Sequence, residues 1–165
     1  MSRCDLAETL LRKADQDQTV FEKLRLDQGI AVDILGFHAQ QAAEKMLKSA
    51  LASQEIDFPF SHRLADLFDL LKENGVLVPE DFEELRFLTP FAVAFRYELY
   101  EEEEEEPFDS DRVAALLAKL REWTIASLPA PTEEKTPNAA DSRAALDEPA
   151  DVAKALEKES PDESE

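Results

Sequence analysis

Apolar residues recur at helical spacing from the start of the chain. Near the N-terminus four of them are separated by three and four positions: Ala7, Leu10, Leu11 and Ala14. This spacing places all four side chains on one face of an α-helix. We predict that this first helix ends near Asp17 and that residues 19–29 hold no more than a short extra turn.

A longer apolar pattern predicts a second helix over about residues 30–54. Its apolar residues cover two adjacent faces, and many of them are alanine: Ile34, Phe37, Ala39, Ala42, Ala43, Met46, Leu47, Ala50 and Leu51. Small side chains allow neighbouring helices to approach from two sides. We therefore expect the second helix at the centre of a helical bundle.

A third helix is bounded by residues that favour turns. Pro59 interrupts the helical pattern because proline lacks a backbone N–H donor and disfavours helix in the residue before it. Ser61 is a candidate N-cap for the third helix, and Asn74-Gly75 is a typical end for it. Between these limits the inward-facing positions are apolar: Leu64, Leu67, Phe68 and Leu71.

Two further helices complete the predicted fold. Pro79 opens a helical stretch that leads through Thr89-Pro90 into a fourth helix, which carries Phe91, Ala92, Phe95, Arg96 and Tyr97. Asp109 or Ser110 caps a fifth helix, whose inner face holds Val113, Leu116, Leu117 and Leu120. The sequence thus predicts an all-α fold of about five helices.

Two acidic segments differ from this pattern. The run 101–106 consists of six glutamates, whose mutual repulsion predicts a solvated connection. Residues 129–165 are rich in Pro, Ala, Glu, Ser and Asp and contain no aromatic residue, so they cannot bury enough apolar surface to offset chain entropy. We predict a helical domain over 1–128 and an acidic disordered tail over 129–165.

The overall charge limits the classes of partner. The chain has 18 basic and 38 acidic residues, a formal net charge of −20. General nucleic-acid binding depends on basic residues that neutralise phosphates, so we do not expect it of so acidic a chain. A partner protein with a basic surface, or a small ligand in a local pocket, agrees better with this charge. No apolar run is long enough to span a bilayer and no signal-like layout begins the chain, so we expect a cytoplasmic protein.

The second helix carries the densest group of polar residues in the predicted domain. Gln41, Glu44, Lys45 and Lys48 follow one another at spacings of three and four, so they share a face. They could pair with one another at the surface, or they could line a groove.

Three segments together resemble the HEPN family, the higher-eukaryote and prokaryote nucleotide-binding domains. They are FHAQQAAEKMLKSAL in the second helix, Ser61-His62-Arg63-Leu64 before the third, and LTPFAVAFRYELY in the fourth. They occur in the family's order and at plausible spacing. The resemblance covers roughly residues 6–128 and implies an up-and-down helical bundle, commonly a homodimer, which often acts beside a small nucleotidyltransferase in toxin–antitoxin-like pairs.

Some HEPN members are metal-independent ribonucleases, and the resemblance identifies where their chemistry should lie. Those members carry an Arg followed after four to six residues by a His, which acts as general acid or base while the Arg stabilises phosphorane charge. The Arg corresponds to Arg96, but Glu101, Glu102 and Glu103 stand where the His is expected. We therefore predict no catalytic residue.

The leading hypothesis is a non-catalytic HEPN domain that dimerises and binds a nucleotidyltransferase partner or a nucleotide-like ligand, without a metal or cofactor. The candidate ligand-binding residues are Gln41, Lys45, Lys48, His62, Arg96 and Tyr97. Arg96 would bind phosphate and Tyr97 would stack on a base, or instead Arg96 would pair with Glu44 inside the bundle. Two alternatives stay open: a ribonuclease toxin with a non-standard acid–base group, and an acidic antitoxin-like protein that occupies a basic partner surface.

Overall fold

The computed structural model of the protein describes residues 2–92 and 108–128. These residues form four α-helices and one 3-10 helix and contain no strand, which confirms the all-α prediction. The α-helices are α1 (Arg3–Leu24), α2 (Val32–Ser53), α3 (Leu64–Glu73) and α4 (Ser110–Ser127), and the 3-10 helix η1 spans Glu80–Leu88. The acidic run 101–106 and the predicted tail lie outside the described residues, so both remain predictions.

Helix α2 is the centre of the bundle, as its two-sided apolar pattern predicts. It packs against α1, α3, η1 and α4. Seven of the apolar residues predicted on its two faces have no solvent exposure, whereas Ile34 and Phe37 are partly buried. The seven are Ala39, Ala42, Ala43, Met46, Leu47, Ala50 and Leu51. The alanines allow the surrounding helices to approach the α2 backbone, so a single core forms around this helix.

Helix α1 is longer than the sequence pattern predicts. It begins with a capping box, in which the Ser2 hydroxyl accepts from the Asp5 N–H and the Asp5 carboxylate accepts from the Ser2 N–H. The predicted end near Asp17 is wrong, because α1 continues to Leu24 and places Phe21 in the core with 0% exposure. No glycine or proline interrupts residues 17–24, so nothing in the sequence stops the helix there.

The start of α3 also differs from its prediction. Its N-cap is Arg63, which makes no side-chain cap hydrogen bond, rather than Ser61. The Leu64 N–H donates instead to the hydroxyl of Thr89 at 3.2 Å, so a residue 25 positions away caps the helix. The predicted end is confirmed, since α3 ends before Asn74 and Gly75 has a φ of 78°.

The region predicted as the fourth helix begins as a 3-10 helix. Pro79 precedes η1, and Phe91 and Ala92 are helical after it. Phe95, Arg96 and Tyr97 lie outside the described residues.

The N-cap predicted for the last helix is confirmed, because the Asp109 carboxylate accepts from the Arg112 N–H at 2.9 Å. The inner face predicted for this helix is buried: Val113, Leu116, Leu117 and Leu120.

A close contact between α2 and Phe91 explains why residue 36 is a glycine. A Cβ built on Gly36 would lie 2.3 Å from two ring carbons of Phe91. The Phe91 ring also packs edge-on against Phe108, with 5.7 Å between the ring centroids. The ring that occupies the space beside Gly36 is thus held in turn by a second aromatic ring.

We expect Gly36→Ala to destabilise the protein by about 1–3 kcal/mol, because the added methyl forces the Phe91 ring to move. Alanine is favoured over glycine by about 1 kcal/mol in a helix interior, so a net loss would identify the steric clash. Urea unfolding gives the free energy. In a Phe91→Ala background the same substitution should become neutral or stabilising, and an equal cost in both backgrounds would contradict this explanation.

Candidate functional site

Polar side chains of α2 form two hydrogen-bonded clusters with residues from α1 and from the α2–α3 connection. The Glu44 cluster consists of Gln40, Glu44, Lys48 and His62. The Asp17 cluster consists of Asp17, His38, Gln41 and Lys45. The Gln41 side-chain amide donates to the Gln40 side-chain oxygen at 2.7 Å, so the two clusters form one continuous network across α1, α2 and the α2–α3 connection.

The Glu44 cluster surrounds a buried carboxylate. Lys48 Nζ donates to Glu44 Oε1 at 2.7 Å, and Gln40 Nε2 donates to Oε2 at 2.8 Å. The Nδ1 atom of His62 lies 3.2 Å from both carboxylate oxygens. The side chains of Glu44 and Lys48 are only 7% and 12% exposed. Glu44 is therefore bonded to neighbours inside the protein rather than available to a ligand.

The environment of Glu44 keeps it ionised. Burial raises the pKa of the Glu44 carboxyl, but the hydrogen bonds from Lys48 and Gln40, the Lys48 charge and the contact with His62 together outweigh burial. The pKa of Glu44 consequently lies below its ordinary value of 4.5. The charged carboxylate is thus favoured by folding, and the pair with Lys48 persists at neutral pH.

This lowered pKa predicts that Glu44 contributes to acid sensitivity. A carboxyl with a lower pKa in the folded state stabilises the protein above its unfolded pKa, and the contribution is lost as the pH falls through the folded pKa. We expect the stability difference between the parent and Glu44→Gln to shrink when urea unfolding is repeated from about pH 7 to about pH 3. Both proteins share all other carboxyl groups, so the contributions of those groups to the pH dependence of stability cancel in the difference. A difference that is independent of pH would contradict the assignment.

The Asp17 cluster joins α1 to α2. Lys45 Nζ donates to Asp17 Oδ2 at 2.6 Å and to Gln41 Oε1 at 2.8 Å. His38 Nδ1 lies 3.3 Å from the other Asp17 oxygen. The three side chains of Lys45, Asp17 and His38 are 20–25% exposed. Asp17 thus holds the charge of Lys45 at the contact between the two helices.

Four of the predicted ligand-binding residues lie in this one network, and each has a partner inside the protein. They are Gln41, Lys45, Lys48 and His62. Both lysines are paired with carboxylates. His62 differs, because its side chain is 67% exposed. The other two candidates, Arg96 and Tyr97, lie outside the described residues, so the alternative pairing of Arg96 with Glu44 stays a prediction.

Sequence reasoning missed three members of the network: Gln40, Asp17 and His38. Gln40, Glu44 and Lys48 are each four positions apart, so they lie on the same face of α2. This spacing could have identified Gln40 from the sequence. Asp17 had no such signal, since it lies 28 residues before Lys45 on another helix.

The described part of the chain offers neither a metal site nor a membrane span. Within residues 2–92 and 108–128, no group of three or more His, Cys, Asp or Glu side chains is arranged to hold a metal ion. In the same ranges no helix is long and apolar enough to cross a bilayer.

Comparison with protein families identifies the family of the helical domain. A family model described as the HEPN domain matches residues 7–125, most of the chain. The chain belongs to the HEPN family. Comparisons with curated proteins and with solved structures give no match. The HEPN match includes α2, α3 and η1 and nearly all of α1 and α4, so the polar network lies wholly within the HEPN domain.

Proposed function

We propose that this HEPN domain is a non-catalytic binding subunit, which forms a homodimer and binds a nucleotidyltransferase-type protein in a toxin–antitoxin-like pair. The observation that most supports the proposal is the internal pairing of Lys45 with Asp17 and of Lys48 with Glu44. In this interpretation the polar residues of α2 hold the helices together rather than serving a reaction.

The same pairing favours a protein partner over a nucleotide-like ligand. A phosphate site needs cations that are free to meet the phosphate, and removing a carboxylate's partner from a buried pair is costly. Lys45 and Lys48 are both less than a quarter exposed and both are paired. A nucleotide or RNA ligand would depend on His62, Arg96 and Tyr97 instead.

Charge and exposed apolar residues also fit binding to a protein. A net charge of −20 favours a partner with a basic surface and disfavours a polyanion. Three large apolar side chains are strongly exposed in the described residues: Leu26, Phe60 and Leu77. Side chains of this type are commonly covered in protein interfaces.

The proposal is tested by two measurements on the full chain. Sedimentation velocity over a range of concentrations should show a dimer. We expect a small nucleotidyltransferase to be encoded beside the gene. Calorimetric titration with that protein should show a complex that weakens as NaCl rises from about 50 to about 300 mM, because screening reduces charge attraction. A monomer that fails to bind this protein but binds ATP would refute the protein-partner proposal and favour the nucleotide-like ligand.

A further inference from the structure

His62 is the member of the Glu44 cluster that solvent can reach. Its side chain is 67% exposed, against 7% for Glu44 and 12% for Lys48. Its backbone carbonyl accepts from Gln40 Nε2 at 3.0 Å, and its Nδ1 faces both oxygens of Glu44. The ring is thus held from one side. Because the two ring nitrogens point in different directions, Nε2 is the nitrogen that a reagent can approach.

This arrangement resembles an activated nucleophile rather than an ordinary surface histidine. A carboxylate beside Nδ1 orients the ring and favours the tautomer whose lone pair is on Nε2. A nucleophile oriented by a second group is the general pattern of covalent chemistry in proteins. The Glu44 carboxylate is itself held by Lys48 and Gln40, so it remains in place to orient His62.

Arg63, the residue after His62, carries a guanidinium, a group of the kind that binds phosphate. Arg63 is 70% exposed, and its 3.7 Å contact with Asp66 is the longest ion pair among the described residues. A guanidinium with so weak an internal partner is free to bind a phosphate through two hydrogen bonds. Lys45 and Lys48, by contrast, are held in short pairs.

We propose that His62 is a phosphoryl-acceptor residue, with Glu44 orienting its ring and Arg63 binding the phosphate of the donor. The donor is a phosphate compound with a good leaving group, such as an acyl phosphate or a phosphoramidate. The Nε2 lone pair forms the N–P bond while the bond from phosphorus to the leaving group breaks. The leaving group departs with that electron pair and takes a proton from water. The Glu44 carboxylate balances the positive charge that develops on the ring.

Phosphorylation of His62 would change the surface offered to a partner. A phosphoryl group adds about two negative charges, here in the α2–α3 connection beside the fully exposed Phe60. This modification is independent of the proposed dimer and partner, so either proposal can fail without the other.

The test uses potassium phosphoramidate on the full chain, with phosphohistidine followed by ³¹P NMR and by intact mass. We expect His62 to react about tenfold faster than N-acetylhistidine and faster than His38, whose side chain is 25% exposed. His62→Asn should remove the fast phase and His38→Asn should leave it unchanged. A His62 rate equal to that of N-acetylhistidine would overturn the proposal.

A second comparison separates phosphate recognition from simple exposure. Arg63→Ala should slow the reaction of His62 with anionic phosphoramidate by about tenfold, the effect of losing a charge-assisted hydrogen bond. The same variant should leave the reaction with neutral diethyl pyrocarbonate unchanged. Arg12→Ala, at an exposed position of α1, is the matched control. Equal rates of parent and Arg63→Ala with phosphoramidate would overturn the role of Arg63.

The role of Glu44 is tested with Glu44→Gln, after circular dichroism has shown that the variant is folded. Loss of the carboxylate should slow the reaction of His62 with both reagents, because the ring loses its orienting charge. An unchanged rate in the folded variant would overturn the role of Glu44. If the variant does not fold, the rate of His62 against N-acetylhistidine decides the proposal, and the Arg63→Ala comparison decides the role of Arg63.

Discussion

Glu44→Ala should destabilise the protein by about 3–5 kcal/mol, because it leaves the nearly buried Lys48 ammonium without its carboxylate and removes one of the two acceptors of the Gln40 amide. Single domains are typically stable by about 5–15 kcal/mol, so the variant should be partly unfolded under mild conditions. Urea unfolding followed by circular dichroism measures the loss.

Two variants make this result specific to the buried pair. Glu8→Ala removes an exposed carboxylate from α1 and should change stability by no more than about 0.5 kcal/mol. Replacing both partners, as in Glu44→Leu with Lys48→Met, should cost less than Glu44→Ala, since no charge is left buried. A Glu44→Ala loss as small as that of Glu8→Ala would show that the carboxylate is not a structural partner.

Phe21→Ala should cost about 3–5 kcal/mol, because a fully buried aromatic ring is removed from the core. The result tests the extension of α1 to Leu24, since Phe21 can reach the core only if the helix continues past Asp17.

Val20→Ala is the neighbouring control for Phe21→Ala. Val20 is 36% exposed on the same helix, so its truncation should change stability by no more than about 0.5 kcal/mol. Similar small losses for both variants would mean that the last turns of α1 do not pack on the bundle.

The parts of the fold that were predictable depend on local signals. The apolar pattern of α2 extends over six turns, so it fixes both the helix and its central position. Asp109 and Asn74-Gly75 mark helix ends through hydrogen bonds or backbone angles that involve near neighbours in sequence. Such features can be recognised without knowing the tertiary structure.

The parts that were missed depend on contacts between distant residues. In the last turns of α1, Phe21 is buried in the core and Leu24 packs against it from a partly buried position. The rest of that core cluster lies largely on other helices. The cap of α3 comes from Thr89, so the nearby Ser61 was a misleading candidate. Tertiary contacts override local preference in both cases.

The sequence predicted some of the residues in the polar network but not how they pair. Helical spacing places Gln41, Lys45 and Lys48 on one side of α2, as expected. It could not show that Asp17 on α1 pairs with Lys45, nor that His62 faces Glu44. These pairings determine whether the lysines are free to bind a phosphate, and only the packing of the helices reveals them.

The non-catalytic assignment is tested most directly by incubating the purified full chain with single-stranded RNA in the presence of EDTA, beside Arg96→Ala. The resemblance to the ribonuclease members implies that glutamates occupy the position of their histidine, and both lysines of the network are paired with carboxylates. We expect no cleavage above that of the RNA alone by either protein. Metal-independent cleavage by the parent that Arg96→Ala abolishes would contradict this account.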